Sequence, residues 1–93
     1  MVREGDCVAI FNSIHRVMQA EKRLKERSLP ILLIPAPRSL NSECGLALRY
    51  ASGDRIIVGK ALAEEGIVPE EIFMKMEMFI ALQNQQLTHY QKL

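Results

Sequence analysis

Two cysteines among 93 residues are too few, and Cys7 and Cys44 too far apart, to form a disulfide framework. His15 and His89 add no metal-ligand spacing to them, so no metal site and no cofactor are expected. Lys and Arg exceed Asp and Glu by one, leaving a net charge of +1 that gives no global field for nucleic acid or an anionic membrane. No segment approaches the roughly 18 uninterrupted apolar residues of a membrane span. The first residues, with Arg3, Glu4 and Asp6 ahead of a short apolar run, do not read as a secretory or transit peptide, and a cytoplasmic location is expected. Paired carboxylates, a nucleotide-binding loop and a nucleophilic triad are also missing, which argues against a stand-alone enzyme. Nucleic acid and membranes are therefore not expected partners.

What is present is an ordinary globular composition, 48% apolar and 25% charged, in a chain long enough for one core but not for two. A single domain over 1–93 is expected, with a core over 6–75 and a tail over 76–93. Asp6 to Phe11 reads as a strand, and Ser13 caps a helix with Ile14, Val17, Met18 and Leu24 on one face. That helix ends near Arg27 and Ser28, ahead of Pro30. Ile31 to Ile34, four aliphatics between prolines, reads as a strand buried on both faces and parallel to the first. Leu46 to Tyr50 reads as a third strand. Asp54 then starts a second helix that buries Ile57, Val58, Ala61 and Leu62 and stops at Gly66. Beyond it the periodicity is mixed: Ile72, Met74, Met76, Met78 and Ile80 alternate as in a strand, while Ile72, Met76, Phe79 and Leu87 share a helical face. A short strand over Glu71 to Lys75 followed by a helical tail is expected. The order β-α-β-β-α-β is that of an α+β, ferredoxin-like split βαβ domain with a helical C-terminal extension. Apolar residues on both sides of the first strands require cover for the helix-free sheet face, from the tail or from a second subunit, and a homodimer is expected to hide Met74 to Phe79.

The chemistry concentrates in one loop. Between Pro35 and Leu46, Asn41 or Ser42 can cap a short helical turn that Gly45 ends, which would put Cys44 in its first turn, where backbone N–H groups favour an anion. Arg38 adds a positive charge from the same loop, whereas Glu43 opposes ionisation. A reactive thiol and an inert loop thiol both remain open on these residues. Cys7, in an apolar strand, reads as a buried structural residue. Arg16 reads as a plain surface arginine or, with Asn12 and Ser13, as a holder of an anion at the start of the first helix. His15 and the run Lys22, Arg23, Lys25, Arg27 read as solvated surface, and Arg49, on the polar side of its strand, can pair with Glu43 or Asp54 or line the site.

Ile10-Phe11-Asn12-Ser13, Ile34-Pro35-Ala36-Pro37-Arg38 and Ser42-Glu43-Cys44-Gly45-Leu46-Ala47-Leu48-Arg49 together resemble the small bacterial Se/S carrier protein-like family, over roughly Asp6 to Phe73. The resemblance implies that Cys44 holds sulfur or selenium as a persulfide or selenenylsulfide. It also implies a donor and an acceptor protein as partners, with Arg38, Asn41, Ser42, Gly45 and Ser13 supporting the loop and its anion. The stretch after Lys75 is longer and richer in methionine than the family leads one to expect. The alternative is a ligand-sensing or protein-interaction module without a reacting thiol.

Overall fold

The computed structural model describes residues 2–40, 42–80 and 83–93. The strand that organises it is the first. β1, Asp6–Ile10, is buried along its whole length and lies at the centre of a five-stranded sheet of order β2-β3-β1-β4-β5. The other strands are β2 (Leu32–Pro35), β3 (Leu46–Ala51), β4 (Glu71–Ile80) and β5 (Gln85–Lys92); β1 pairs with β3 and β4, and every neighbouring pair is antiparallel. A continuous apolar run suits this position, because both faces of β1 are covered.

Helices α1 (Ile14–Glu26) and α2 (Arg55–Glu64) pack on one face. Ser13 is the N-cap of α1: its Oγ accepts a hydrogen bond from the Arg16 N–H at 3.2 Å, satisfying one of the orphan donors of the first turn. The helix closes where Ser28 takes φ +59° and Leu29 N–H returns to the Leu24 carbonyl. α2 stops at Gly66, whose φ of +70° only glycine adopts freely, with Ile67 N–H returning to Leu62. Val17, Ala20 and Leu24 of α1 and Val58, Ala61 and Leu62 of α2 meet Cys7, Ala9, Phe11, Leu48 and Tyr50 of the sheet. Ile14, Met18 and Ile57, placed on the buried faces by periodicity, are exposed instead. Each lies at the margin of a face that is narrower than the apolar stripe.

The ferredoxin-like split βαβ domain with a helical C-terminal extension is not what forms. The chain makes a five-stranded antiparallel sheet with two helices, and the tail is not helical: β4 runs ten residues and returns as β5. The period-two alternation from Ile72 outweighs the helical one because Asn84, at φ +50°, supplies a turn and β5 supplies a ladder partner. β2 also differs. It pairs with β3, antiparallel, at the sheet edge rather than with β1 in the middle, so Leu32 is exposed and Leu33 only half-buried. The helix-free face, expected to need cover from the tail or a second subunit, is covered in part by neighbouring segments of the chain and in part by Tyr90 of the tail. Val8, Ile10, Ile34 and Ala47 are buried there beneath Val2, Ala36 and Leu40, with Phe73 and Tyr90 beside them.

Candidate functional site

The loop between β2 and β3 is built by its prolines and one glycine. Pro37 opens a 3-10 turn at Arg38–Leu40, closed by Leu40 N–H on the Pro37 carbonyl at 3.0 Å, and buried Leu40 anchors it to the helix-free face. The Ala36 N–H donates to the Gly45 carbonyl at 2.9 Å, one rung beyond the Pro35↔Leu46 pair, so the loop is clamped at its base. Gly45 turns the chain into β3 at φ +74°, a conformation that a Cβ disfavours even though the space beside it is open. The helical turn therefore precedes Cys44 instead of containing it, because Pro37 starts it early. Residues 43–45 are bends and residue 42 is irregular, without helical structure, and the expected first-turn position of Cys44 is corrected accordingly.

Cys44 is half-buried against the helix-side core. Its Sγ lies 3.2 Å from the Leu46 carbonyl and 3.7 Å from the Phe11 carbonyl, to which the thiol donates, and 3.5 Å from the Ser42 Oγ. The two carbonyls serve the protonated thiol. Of these three groups, the Ser42 hydroxyl is the one that can donate to sulfur once the proton is gone. The Phe11 contact places the thiol where β1 ends, two residues before the cap of α1, whose first-turn N–H groups have no intrahelical acceptor. β4 begins alongside, tied by Glu70 N–H to the Ile10 carbonyl at 2.8 Å. Two of the thiol's neighbours, Phe11 and Ser42, also line a cleft of about 330 Å³ together with Ile10, Asn12, Glu43, Glu70 and Glu71; Cys44 itself is not among its lining residues. Glu71 is paired with Lys92 at 3.0 Å.

Of the residues expected to serve this site, Ser42 is brought to the thiol and Gly45 shapes its turn. Ser13 is close in the chain to the Phe11 contact, but its hydroxyl is committed to the Arg16 N–H. Arg38 is exposed on the 3-10 turn, and the polar neighbours of Cys44 Sγ do not include it. Asn41 lies outside the described residues. Arg49 pairs with Asp6 at 3.0 Å rather than with Glu43 or Asp54, since Asp6 and Arg49 share the helix-free face of adjoining strands. The contributions of Phe11, Glu70 and Glu71 were not anticipated. Glu70 and Glu71 lie more than twenty residues from Cys44 in the chain, and nothing in the local pattern announces that β4 starts beside it.

Cys7 is fully buried, opposite Tyr50 on one side and Met74 on the other. Burial pushes its thiol up from the ordinary range, Arg55 partly opposes this, and Asp6 adds to it. Four strand residues, roughly 13 Å, separate Cys7 from the Phe11 end of β1, too far for a disulfide with Cys44 without moving the backbone. Among the described residues no His, Cys, Asp and Glu group is placed to hold a metal, and no helix is long and apolar enough to cross a membrane.

The sequence matches a family model described as "Putative Se/S carrier protein-like" over residues 6–74, which takes in β1, both helices, the whole Cys44 loop and the first part of β4. The chain belongs to this family. Neither the curated proteins nor the solved structures contain a match to it. The family match ends within β4, so most of the β4 and β5 hairpin lies beyond it.

Proposed function

We propose that this Se/S carrier family member holds a sulfur or selenium atom on Cys44 and passes it between a donor and an acceptor protein. The observation that carries the reading is the contrast between the two thiols. Cys44 is half-buried, within the loop the family match spans and against Ser42 and Phe11, which line a polar cleft, whereas Cys7 is sealed in the core. Loading requires the Cys44 thiolate to attack the outer sulfur of a donor persulfide. The donor S–S bond breaks, its electron pair leaves on the donor thiolate, and Cys44 becomes Cys–S–SH with no net oxidation. Unloading is the same exchange, an acceptor thiolate taking the outer sulfur and Cys44 leaving as thiolate; a selenium cargo follows the same balance as Cys–S–SeH.

The residues around the thiol have parts in this. Ionisation gives up the Sγ–H contact with the Leu46 carbonyl, and the Ser42 hydroxyl donates to Sγ and holds the anion. The clamp between Ala36 and Gly45 keeps the loop in place while a partner approaches. Arg38, exposed at the rim of the same loop, is available to a partner's carboxylates rather than to the thiol. Such a carrier needs no second catalytic group.

The test is mass spectrometry of the native protein after incubation with a persulfide donor and desalting. The expected gain is one sulfur on the Cys44 peptide, reversed by dithiothreitol and absent in Cys44→Ser. No gain, with Cys44 still readily alkylated, would reject the carrier and favour the interaction-module reading, in which Cys44→Ser is silent.

A further inference from the structure

β4 outruns the body of the sheet. β1 accompanies it only from Glu71 to Met74, and the Gly5 N–H on the Lys75 carbonyl is the last rung on that side, whereas β5 stays paired with it through Ile80↔Gln85. From Met76 onward the hairpin is a two-stranded ribbon standing off the sheet, and a ribbon of two strands is marginal in water by itself. Met76 and Leu87 on it are exposed.

The outer strand of the ribbon is a sheet edge with a definite hydrogen-bonding pattern. Leu93 N–H donates to the Ile72 carbonyl at 2.8 Å. Because antiparallel pairs alternate, the odd-numbered residues of β5 bond to β4, and residues 86, 88, 90 and 92 turn their N–H and C=O groups outward. Sheet edges are normally blunted by proline, charge, a bulge or shortness. β2 at the other edge is four residues long and ends in Pro35. β5 runs eight residues in unbroken register, carries no proline, and has one residue of fixed charge, Lys92, at its end.

We propose that β5 pairs with β5 of a second copy, antiparallel about a two-fold axis through His89, joining two five-stranded sheets into one of ten strands. The strand is complementary to itself in this register. Every position from 85 to 93 finds a partner, and outward-facing 88 meets outward-facing 90 of the other copy. Thr88 opposite Tyr90 is a favourable β-branched and aromatic pair, and Lys92 meets the uncharged position 86, so no like charges oppose each other. A two-fold interface demands one surface that fits itself, and β5 does so with no change of the fold. The inference does not rest on the carrier reading.

Sedimentation velocity over a micromolar concentration series tests it, using the full chain and three variants. Thr88→Pro removes an outward N–H and leaves the ladder to β4 intact; His89→Lys and His89→Glu place like charges face to face at the axis on an exposed side chain. The wild type should sediment as a dimer and each variant as a monomer with unchanged circular dichroism. Mixing His89→Lys with His89→Glu should restore a species of dimer mass. If Thr88→Pro fails to fold, the His89 pair decides. A wild type that stays monomeric, or a dimer indifferent to both His89 variants and their mixing, overturns the proposal.

Discussion

Leu48→Ala compared with Leu33→Ala measures which strand is central. The two leucines face each other across the β2 and β3 pair, yet Leu48 is 0% exposed, with β1 on its other side and the helix-side core around it, while Leu33 sits on the edge strand and is half-buried. Truncating a buried leucine forfeits about 1.5 to 3 kcal/mol of transfer free energy and adds a cavity term, for a usual total of about 2 to 5 kcal/mol. At Leu48 strands on both sides prevent collapse into the space, so a cost of about 3 to 4 kcal/mol is expected from that range. At Leu33 water already reaches part of the side chain and the edge can relax, so about 1 to 2 kcal/mol is expected. Against a total stability of about 5 to 15 kcal/mol, the first change should leave the domain close to unfolding and the second should not. Urea denaturation followed by far-ultraviolet circular dichroism at one fixed protein concentration separates them. With a urea slope of about 1 to 3 kcal/mol per M, the Leu48 midpoint should fall by roughly 1 to 4 M at unchanged slope. Equal midpoints for the two variants, or a larger loss at Leu33, would refute the placement of β2 at the edge and β3 inside.

The two thiols should differ in access: iodoacetamide on the native protein near pH 7 should label Cys44 and spare Cys7 until urea is added, as peptide mass spectrometry would report, and equal rates would contradict the sealed core around Cys7. Ser42→Ala removes the hydroxyl 3.5 Å from Sγ and should slow alkylation of Cys44 with no loss of thermal stability; an unchanged rate would mean that Ser42 does not hold the thiolate. The Tyr50 hydroxyl is buried and, among the described residues, has no hydrogen-bond partner, so Tyr50→Phe should be neutral or stabilising by about 1 kcal/mol in urea titrations at pH 8. Burial first, and Cys7 second, push Tyr50 up to about 12 from 10, with Arg55 opposing. Below pH 10 both states keep the proton; above it the unfolded tyrosine ionises first, so stability should fall from about pH 10 to about 12, after an earlier decline from Cys7 that starts near pH 9. Tyr50→Phe should flatten the later part of that fall.

Much of this protein is decided within short stretches of chain. Ser13 caps α1 and Gly66 ends α2 because capping and left-handed backbone depend on residues a turn apart. The apolar run of β1 states its own burial, and Cys7 within it is buried accordingly. Cys44, Ser42 and Gly45 are within three positions of one another, so their association was visible as a motif, and the family likeness rested on the same residues. Other features depend on which distant segments meet. Ile31 to Ile34 carries the same aliphatic signal whether it lies at the centre or the edge; only the pairing with β3, which leaves β1 free to pair with β3 and β4, made it an edge. Residues 76–80 fit either period, and the choice of strand came from a partner, β5, that the ladder required. The helical turn fell at Arg38–Leu40 because burial of Leu40 and the clamp from Ala36 to Gly45 anchor the loop from outside it. The thiol's neighbours at Phe11 and the carboxylates of Glu70 and Glu71 gather at one end of the sheet through strand order alone. Local chemistry chose the elements and set the Cys44 thiol in its loop; long-range hydrogen-bond pairing, which local sequence does not encode, chose what surrounds them.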